Sequence, residues 1–246
     1  MIDVRRFAVL AASLLLSAGG ADATIRANGG FRFAAGKPVK IIVLYPDVEV
    51  GSIGIGGVEE ANADWTATAR AALASQIEAQ QRAAGNEVIF LARQEGEQAR
   101  VVADYEALFR IVAQEAATHQ MMHGNALPTK RDRFEWTLGP GAAQLGAIGG
   151  GDYALFVKTR DSFGTGGRKA FRLLTGGLAR ALVQGSGVHR SYAALIDLRS
   201  GDIVWLNADP AAGGDPRTVA GATKRVAQLF NGFPARSAGH AVAAPR

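Results

Sequence analysis

Three short apolar runs, each followed by a segment with helical spacing, constrain this chain more than any other feature. VKIIVLY (39–45), EVIFLA (87–92) and YALFVK (153–158) are almost continuously apolar, as strands buried on both faces are. Between the first two, Asp64 is placed to cap a helix over 65–84, with Trp65, Ala69, Ala72, Leu73 and Ile77 on one face and Gly85-Asn86 as its stop. Val101, Tyr105, Leu108, Val112 and Ala116 stripe a second helix over 99–119. Pro140 opens a short helix that three glycines close, and 168–183 is again helix-like. Two runs, 188–198 and 203–207, flank Ser200-Gly201-Asp202 as a hairpin. Asp215-Pro216 opens a last helix that carries Val219, Val226, Leu229 and Phe230 and stops at Gly232 and Pro234. This order predicts one three-layer α/β domain with a mixed, mostly parallel sheet ending in an antiparallel hairpin. The glycines from Gly51 to Gly57 read as a flexible loop.

The N-terminus reads as an address. Arg5 and Arg6 precede an apolar stretch from Phe7 to Ala18, and Ala21-Asp22-Ala23 has the A-x-A form. Together they predict a cleaved secretory signal peptide over 1–23. A flexible lead-in (24–38), the α/β domain (39–234) and a disordered tail (235–246) complete the expected organisation. Apolar runs stay well short of the ~20 residues that a spanning helix needs. Leu16-Ser17-Ala18-Gly19 has glycine where a lipobox carries its cysteine, so lipid anchoring there is not expected. The 246 residues contain no cysteine, which removes disulfides, thiolate metal sites and a cysteine nucleophile. The expected location is the periplasm or the exterior.

Several constellations have the residue types of a reactive site. Gly51-Ser52-Ile53-Gly54-Ile55-Gly56-Gly57 lacks the dinucleotide spacing, because seven residues separate it from the helix start and Asp64 would repel a phosphate. His119 and His123 stand four apart, with Met121 and Met122 between. A zinc peptidase needs glutamate where Gln120 stands, so that chemistry is excluded. A structural or Cu(I) site remains chemically sensible, against the plainer reading of two solvated histidines at a helix end. Ser186, His189 and Asp197 form a compact serine-histidine-aspartate set, but the last two lie on one strand about 26 Å apart if it is straight. Asp47, Glu49 and Asp161, beside Arg160 and Ser162, lie at expected strand ends, where open α/β sheets bind ligands. The alternative there is turn and cap chemistry.

The formal charge is +5. Its most organised part is Arg168, Lys169, Arg172 and Arg180, which share one arc of a helix whose other arc holds Phe171, Leu174, Leu178, Ala181 and Leu182. Such a helix lies on an anionic membrane surface or covers a sheet with its cations in water. Lys130, Arg131 and Arg133 cluster beside Trp136, an aromatic anchor for a partner or a core plug. Dispersed cations, few aromatics and the absence of a motif argue against nucleic acid.

Leu127-Pro128-Thr129-Lys130, the stretch from Phe134 to Gly141, Asp152 to Val157, Arg160-Asp161-Ser162 and Ala193 to Trp205 resemble an uncharacterised family of secreted or lipid-anchored proteobacterial proteins. The likeness spans roughly residues 100–234, and the chain departs from many members at Gly19. A looser likeness, carried by Asp197 to Trp205, is to envelope α/β domains: the TolB amino-terminal domain, the curli-secretion lipoprotein and lipoprotein activators of peptidoglycan synthases. It implies a binding or assembly role at the envelope and supplies no catalytic residue. The combined expectation is a non-enzymatic envelope accessory protein, without cofactor or resident metal, that binds a protein or an anionic membrane surface. A homo-oligomer is compatible with it. Its expected interaction surface is Lys130, Arg131, Arg133, Trp136, Arg168, Lys169, Arg172 and Arg180. The alternatives are a small-ligand enzyme at Asp47, Arg160 and Asp161, and a metal binder at His119 and His123.

Overall fold

Each of the apolar runs becomes a strand, and the three lie side by side in one sheet, with 87–90 at its edge. The computed structural model describes residues 24–27, 30–36, 38–121, 124–131, 133–167 and 187–236. Its strands are β1 (Thr24–Ala27), β2 (Lys40–Val43), β3 (Asp47–Ile53), β4 (Glu59–Ala61), β5 (Glu87–Phe90), β6 (Tyr153–Gly164), β7 (Val188–Asp197) and β8 (Ile203–Asp209). The helices are α1 (Ala63–Ala83), α2 (Gly96–Met121), α3 (Ala143–Gly149) and α4 (Val219–Leu229). The sheet runs β1-β8-β7-β6-β2-β5, with β3 beside β6 and β4 beside β3. Strands β2, β3, β5, β6 and β8 point one way, and β1, β4 and β7 the other. The mixed α/β architecture expected from the sequence is the one the chain adopts.

Strand β6 is the spine. Its first residues pair with β2, and from Lys158 onward the same side pairs with β3. Strands β2 and β3 therefore lie end to end, interrupted at Leu44-Tyr45-Pro46, where proline has no N–H to give to a ladder. One face of the sheet packs under α1 and α4, in a core that includes Leu73, Ile77, Leu155, Leu195, Trp205, Val226 and Leu229. The other packs under α2 and α3, with Ile42, Phe109, Leu145, Phe156, Ile196 and Leu206. Phe109 of α2 stacks on Phe156 of β6 at 4.5 Å.

Several local expectations are corrected. Residues 51–57 are not a loop: Gly51 to Ile53 belong to β3, and only the tip turns, with Gly54 N–H bonded to Val58 O at 3.1 Å. Gly51 is glycine because a Cβ there would collide with the Glu60 carbonyl of β4. The lead-in supplies β1, paired with β8, and Phe33, which is buried against Tyr153 and Phe233. The third strand does not stop at Lys158 but continues to Gly164, because β3 and β7 pair with it on both sides. Helix α1 is capped by Asn62, whose Oδ1 accepts from Trp65 N at 2.9 Å, and not by Asp64. Helix α4 starts after Thr218, whose Oγ1 accepts from Gly221 N at 3.1 Å; Asp215 and Pro216 lie in the turn before it. The basic segment 168–183, Ser186 and the tail from 237 lie outside the described residues.

Candidate functional site

Four places have the polar side chains that a function requires. The first is a buried network that sequence reasoning missed. Thr159 and Asp161 of β6 and Ser191 of β7 turn toward α4, where Arg225 enters the core fully buried. Its guanidinium donates from Nη2 to Asp161 Oδ1 at 2.8 Å and from Nη1 to Oδ2 at 3.0 Å. It also donates to Thr159 Oγ1, Ser191 Oγ and the carbonyls of Gly213 and Gly214. His189 Nδ1 donates to Asp161 Oδ1 at 2.7 Å. Burial pushes the Asp161 carboxyl up, but the hydrogen bonds of His189 and Arg225 and the Arg225 charge outweigh it and hold the group below the usual carboxylate range.

The geometry of this network is that of a staple. Asp161 was expected at a strand end facing a ligand; instead it is inside β6 with both oxygens occupied. His189 pairs with Asp161, not with Asp197, which lies at the other end of β7. Among the described residues no hydroxyl is bonded to His189 Nε2. The one signal in the sequence was Arg225 itself, which sits with Ala222, Val226 and Leu229 on the apolar stripe of α4.

Near it, Arg217 lies over the rings of Phe163 at 3.8 Å and Trp65 at 4.4 Å, and pairs with Asp215 at 2.7 Å. The Arg217 hydrogen bonds hold Asp215 below its usual range against the opposing effect of burial. Both acids carry the same sign of linkage. A depressed folded pKa contributes stability that is complete above the ordinary aspartate value of 3.8 and is lost as pH falls through the folded pKa. The melting temperature is therefore expected to fall as pH drops below about 4. Asp215→Asn should make that fall shallower, as a thermal series across those pH values would show.

The second place is the outer part of the sheet, beyond Phe156. Here the face opposite α1 carries charges in register. Asp47, Lys158 and Tyr192 form one row across β3, β6 and β7, and Glu49, Arg160 and Arg190 the next. Lys158 Nζ meets Asp47 Oδ2 at 2.6 Å. Arg160 Nη2 meets Glu59 Oε2 at 2.7 Å and Glu49 Oε1 at 3.7 Å. The Arg160 hydrogen bond is the main reason that Glu59 lies below its usual range. Asp47, Glu49, Glu59, Arg160 and Arg190 are all exposed.

The third is the connector after α2. Lys130 Nζ lies 4.9 Å from the Trp136 ring centre and donates to Glu135 O. Arg133 pairs with Glu135 at 3.6 Å, and Arg131 is exposed. Gln120 Nε2 ties the connector to α2 through Lys130 O and Arg133 O. Trp136 packs partly buried on the core, with its indole N–H buried and unpartnered. The structure thus gathers Lys130, Arg133 and Trp136; their expected companions Arg168, Lys169, Arg172 and Arg180 are outside the described residues. So is His123, while His119 bonds Asn125 O through Nδ1 at 2.7 Å and meets Glu115 at 3.2 Å. Among the described residues no three His, Asp or Glu side chains converge on a metal position.

The fourth is a cavity of about 240 Å³ at the break between β2 and β3, lined by Tyr45, Asp47, Arg70, Glu106, Arg110 and Lys158 among others. It holds Asp47 from the expected ligand site but neither Arg160 nor Asp161. Among the described residues no helix is long and apolar enough to cross a membrane.

A scan against family models finds no match, and a search of curated proteins finds none either. Among solved structures, a PelC dodecamer from Paraburkholderia phytofirmans is 16% identical, covering 87% of this chain and 99% of its own, with a TM-score of 0.36. A variant of it gives 0.38 at the same identity and coverage. The lipoprotein GNA1162 from Neisseria meningitidis is also 16% identical, covers 70% of this chain and 78% of its own, and has a TM-score of 0.30.

Proposed function

We propose that this chain is an exported, non-catalytic accessory or assembly protein of the cell envelope, acting through a protein partner that binds the charged outer face of its sheet. The observation that supports this most is an exposed charged face on a parallel strand pair among the described residues. Parallel pairs are normally covered on both faces. Here β3 and β6 are parallel, α1 covers one face, and on the other Glu49, Arg160 and Arg190 are exposed among the described residues. The Asp47–Lys158 pair and the Glu49–Arg160–Arg190 row give register and orientation to a complementary surface. The best-connected acid, Asp161, is committed to Arg225, which supports a binding role over the small-ligand enzyme at Asp47, Arg160 and Asp161. Export is supported by the leader-like segment at 1–23. The membrane reading rests on Arg168, Lys169, Arg172 and Arg180, outside the described residues.

A photo-crosslinking residue placed at Arg190 or Glu49 in cells is expected to give a discrete adduct, with the chain recovered in the envelope fraction. The same residue at Arg82, on the exposed side of α1, should give none. Folded, exported protein without an adduct at either position would end this reading. Salt-sensitive sedimentation with anionic liposomes would transfer it to the membrane surface.

A further inference from the structure

The cavity at the β2–β3 break borders the charged face and shares Asp47 and Lys158 with its first row. We infer that it is a binding site for a small amphiphilic anion, with Arg110 as the main contact for a carboxylate or phosphate head and the α2–β6–β7 groove as the seat of a short apolar body.

The position follows from topology. After β2 the chain forms β3 and β4, crosses by α1 on one face to reach β5, and then crosses by α2 on the other face to reach β6. The cavity opens where β2 ends, between β6 and α2, and α/β sheets hold ligands at strand C-termini. Pro46 widens the crevice by parting β2 from β3.

The charges select the sign of the ligand. Arg70 is committed to the carbonyls of Pro46 and Val48 and to the face of Tyr45, and Lys158 to Asp47. Glu106 is partly buried; burial and the Asp47 charge push its carboxyl up, and the Arg110 charge draws it down. Arg110 is exposed and has no hydrogen-bonded carboxylate among the described residues. Glu106, one turn before it on α2, meets it through charge alone, and a guanidinium fork facing a cavity matches a carboxylate or a phosphate bidentately.

The walls select the rest. A second cavity of about 380 Å³ shares Phe109, Arg110 and Lys158 with the first and continues past Ile111 and Ala113 to Tyr192. Tyr45 (66% exposed) and Ile111 (63%) leave large apolar surface in water at the two ends. A cationic centre between apolar ends suits an anion with a hydrocarbon tail and not a sugar or a bare ion.

The test is calorimetric titration of the purified chain with octanoate and octyl phosphate, below their micellar concentrations, and with octanol and acetate. Saturable binding of one or both octyl anions is expected, with octanol and acetate at least ten times weaker. Arg110→Gln should reduce anion affinity about tenfold and change the melting temperature little, because Arg110 is exposed and has no hydrogen-bonded carboxylate among the described residues. Ile111→Ser should weaken octanoate while the melting temperature is kept. The preferred head distinguishes a fatty acid from a phospholipid-like source. Equal binding of octanol, indifference to Arg110→Gln, or no binding by the folded chain would each overturn the assignment. The charged-face reading is tested separately, since crosslinking at Arg190 does not involve this cavity.

Discussion

Arg225→Met is expected to destabilise the fold by about 3–5 kcal/mol, the cost of leaving a buried charge without its partner. For a domain of this size that is a melting temperature lower by on the order of 10 °C. Methionine fills similar volume, so the loss reports the guanidinium and not a void. Asp161 keeps its charge in the core with only His189, Thr159 and its surroundings to hold it, and the carbonyls of Gly213 and Gly214 lose their donor. Arg225→Lys should recover little, because an ammonium cannot reach both carboxylate oxygens and the two carbonyls at once. The double variant Asp161→Asn, Arg225→Met should be more stable than Arg225→Met alone, since it removes the stranded charge. Urea denaturation of the set decides the matter. A double variant no better than the single would mean that the carboxylate is not the source of the loss.

Trp205→Ala is the second large effect, about 3–5 kcal/mol by the usual cost of removing a buried large aromatic. Trp205 is fully buried on β8, lies against Phe230 at 5.9 Å between ring centres and meets Phe233 edge-on at 5.0 Å. It is the point at which the hairpin, α4 and the turn after it share one core. Trp205→Phe should cost under about 1.5 kcal/mol. The indole N–H is buried without an acceptor, so the larger ring already bears a polar penalty that phenylalanine removes. If alanine and phenylalanine were equally damaging in thermal melts, packing volume would not be what Trp205 supplies.

The legible part of the fold was the part set by local periodicity. Continuous apolar runs marked β2, β5 and the first half of β6, and the hairpin was plain from Ser200-Gly201-Asp202. What escaped were features that pairing decides. Thr159-Arg160-Asp161-Ser162 looks like the polar end of a strand, yet its alternation is structural: Thr159 and Asp161 turn into the core and Arg160 turns out. Nothing local says that a helix sixty residues later will bring a guanidinium to Asp161. Gly51 looked like flexibility because the reason for it is a neighbouring strand's backbone. The same limit applies to the site. Asp47 was visible as a carboxylate at a strand end, but Arg70, Glu106, Arg110 and Lys158 reach the cavity from three other elements. The clustered cations of the connector were visible because clustering in sequence is local.

The Arg225 staple also ties together parts of the chain that lie far apart in sequence. Without α4, Asp161 keeps only His189 and Thr159, and β6, which pairs with β2, β3 and β7, buries a carboxylate that lacks its strongest partner. Closure of the core around β6 is therefore coupled to the docking of α4, so that one helix acts as a latch on a sheet whose strands precede it in the chain.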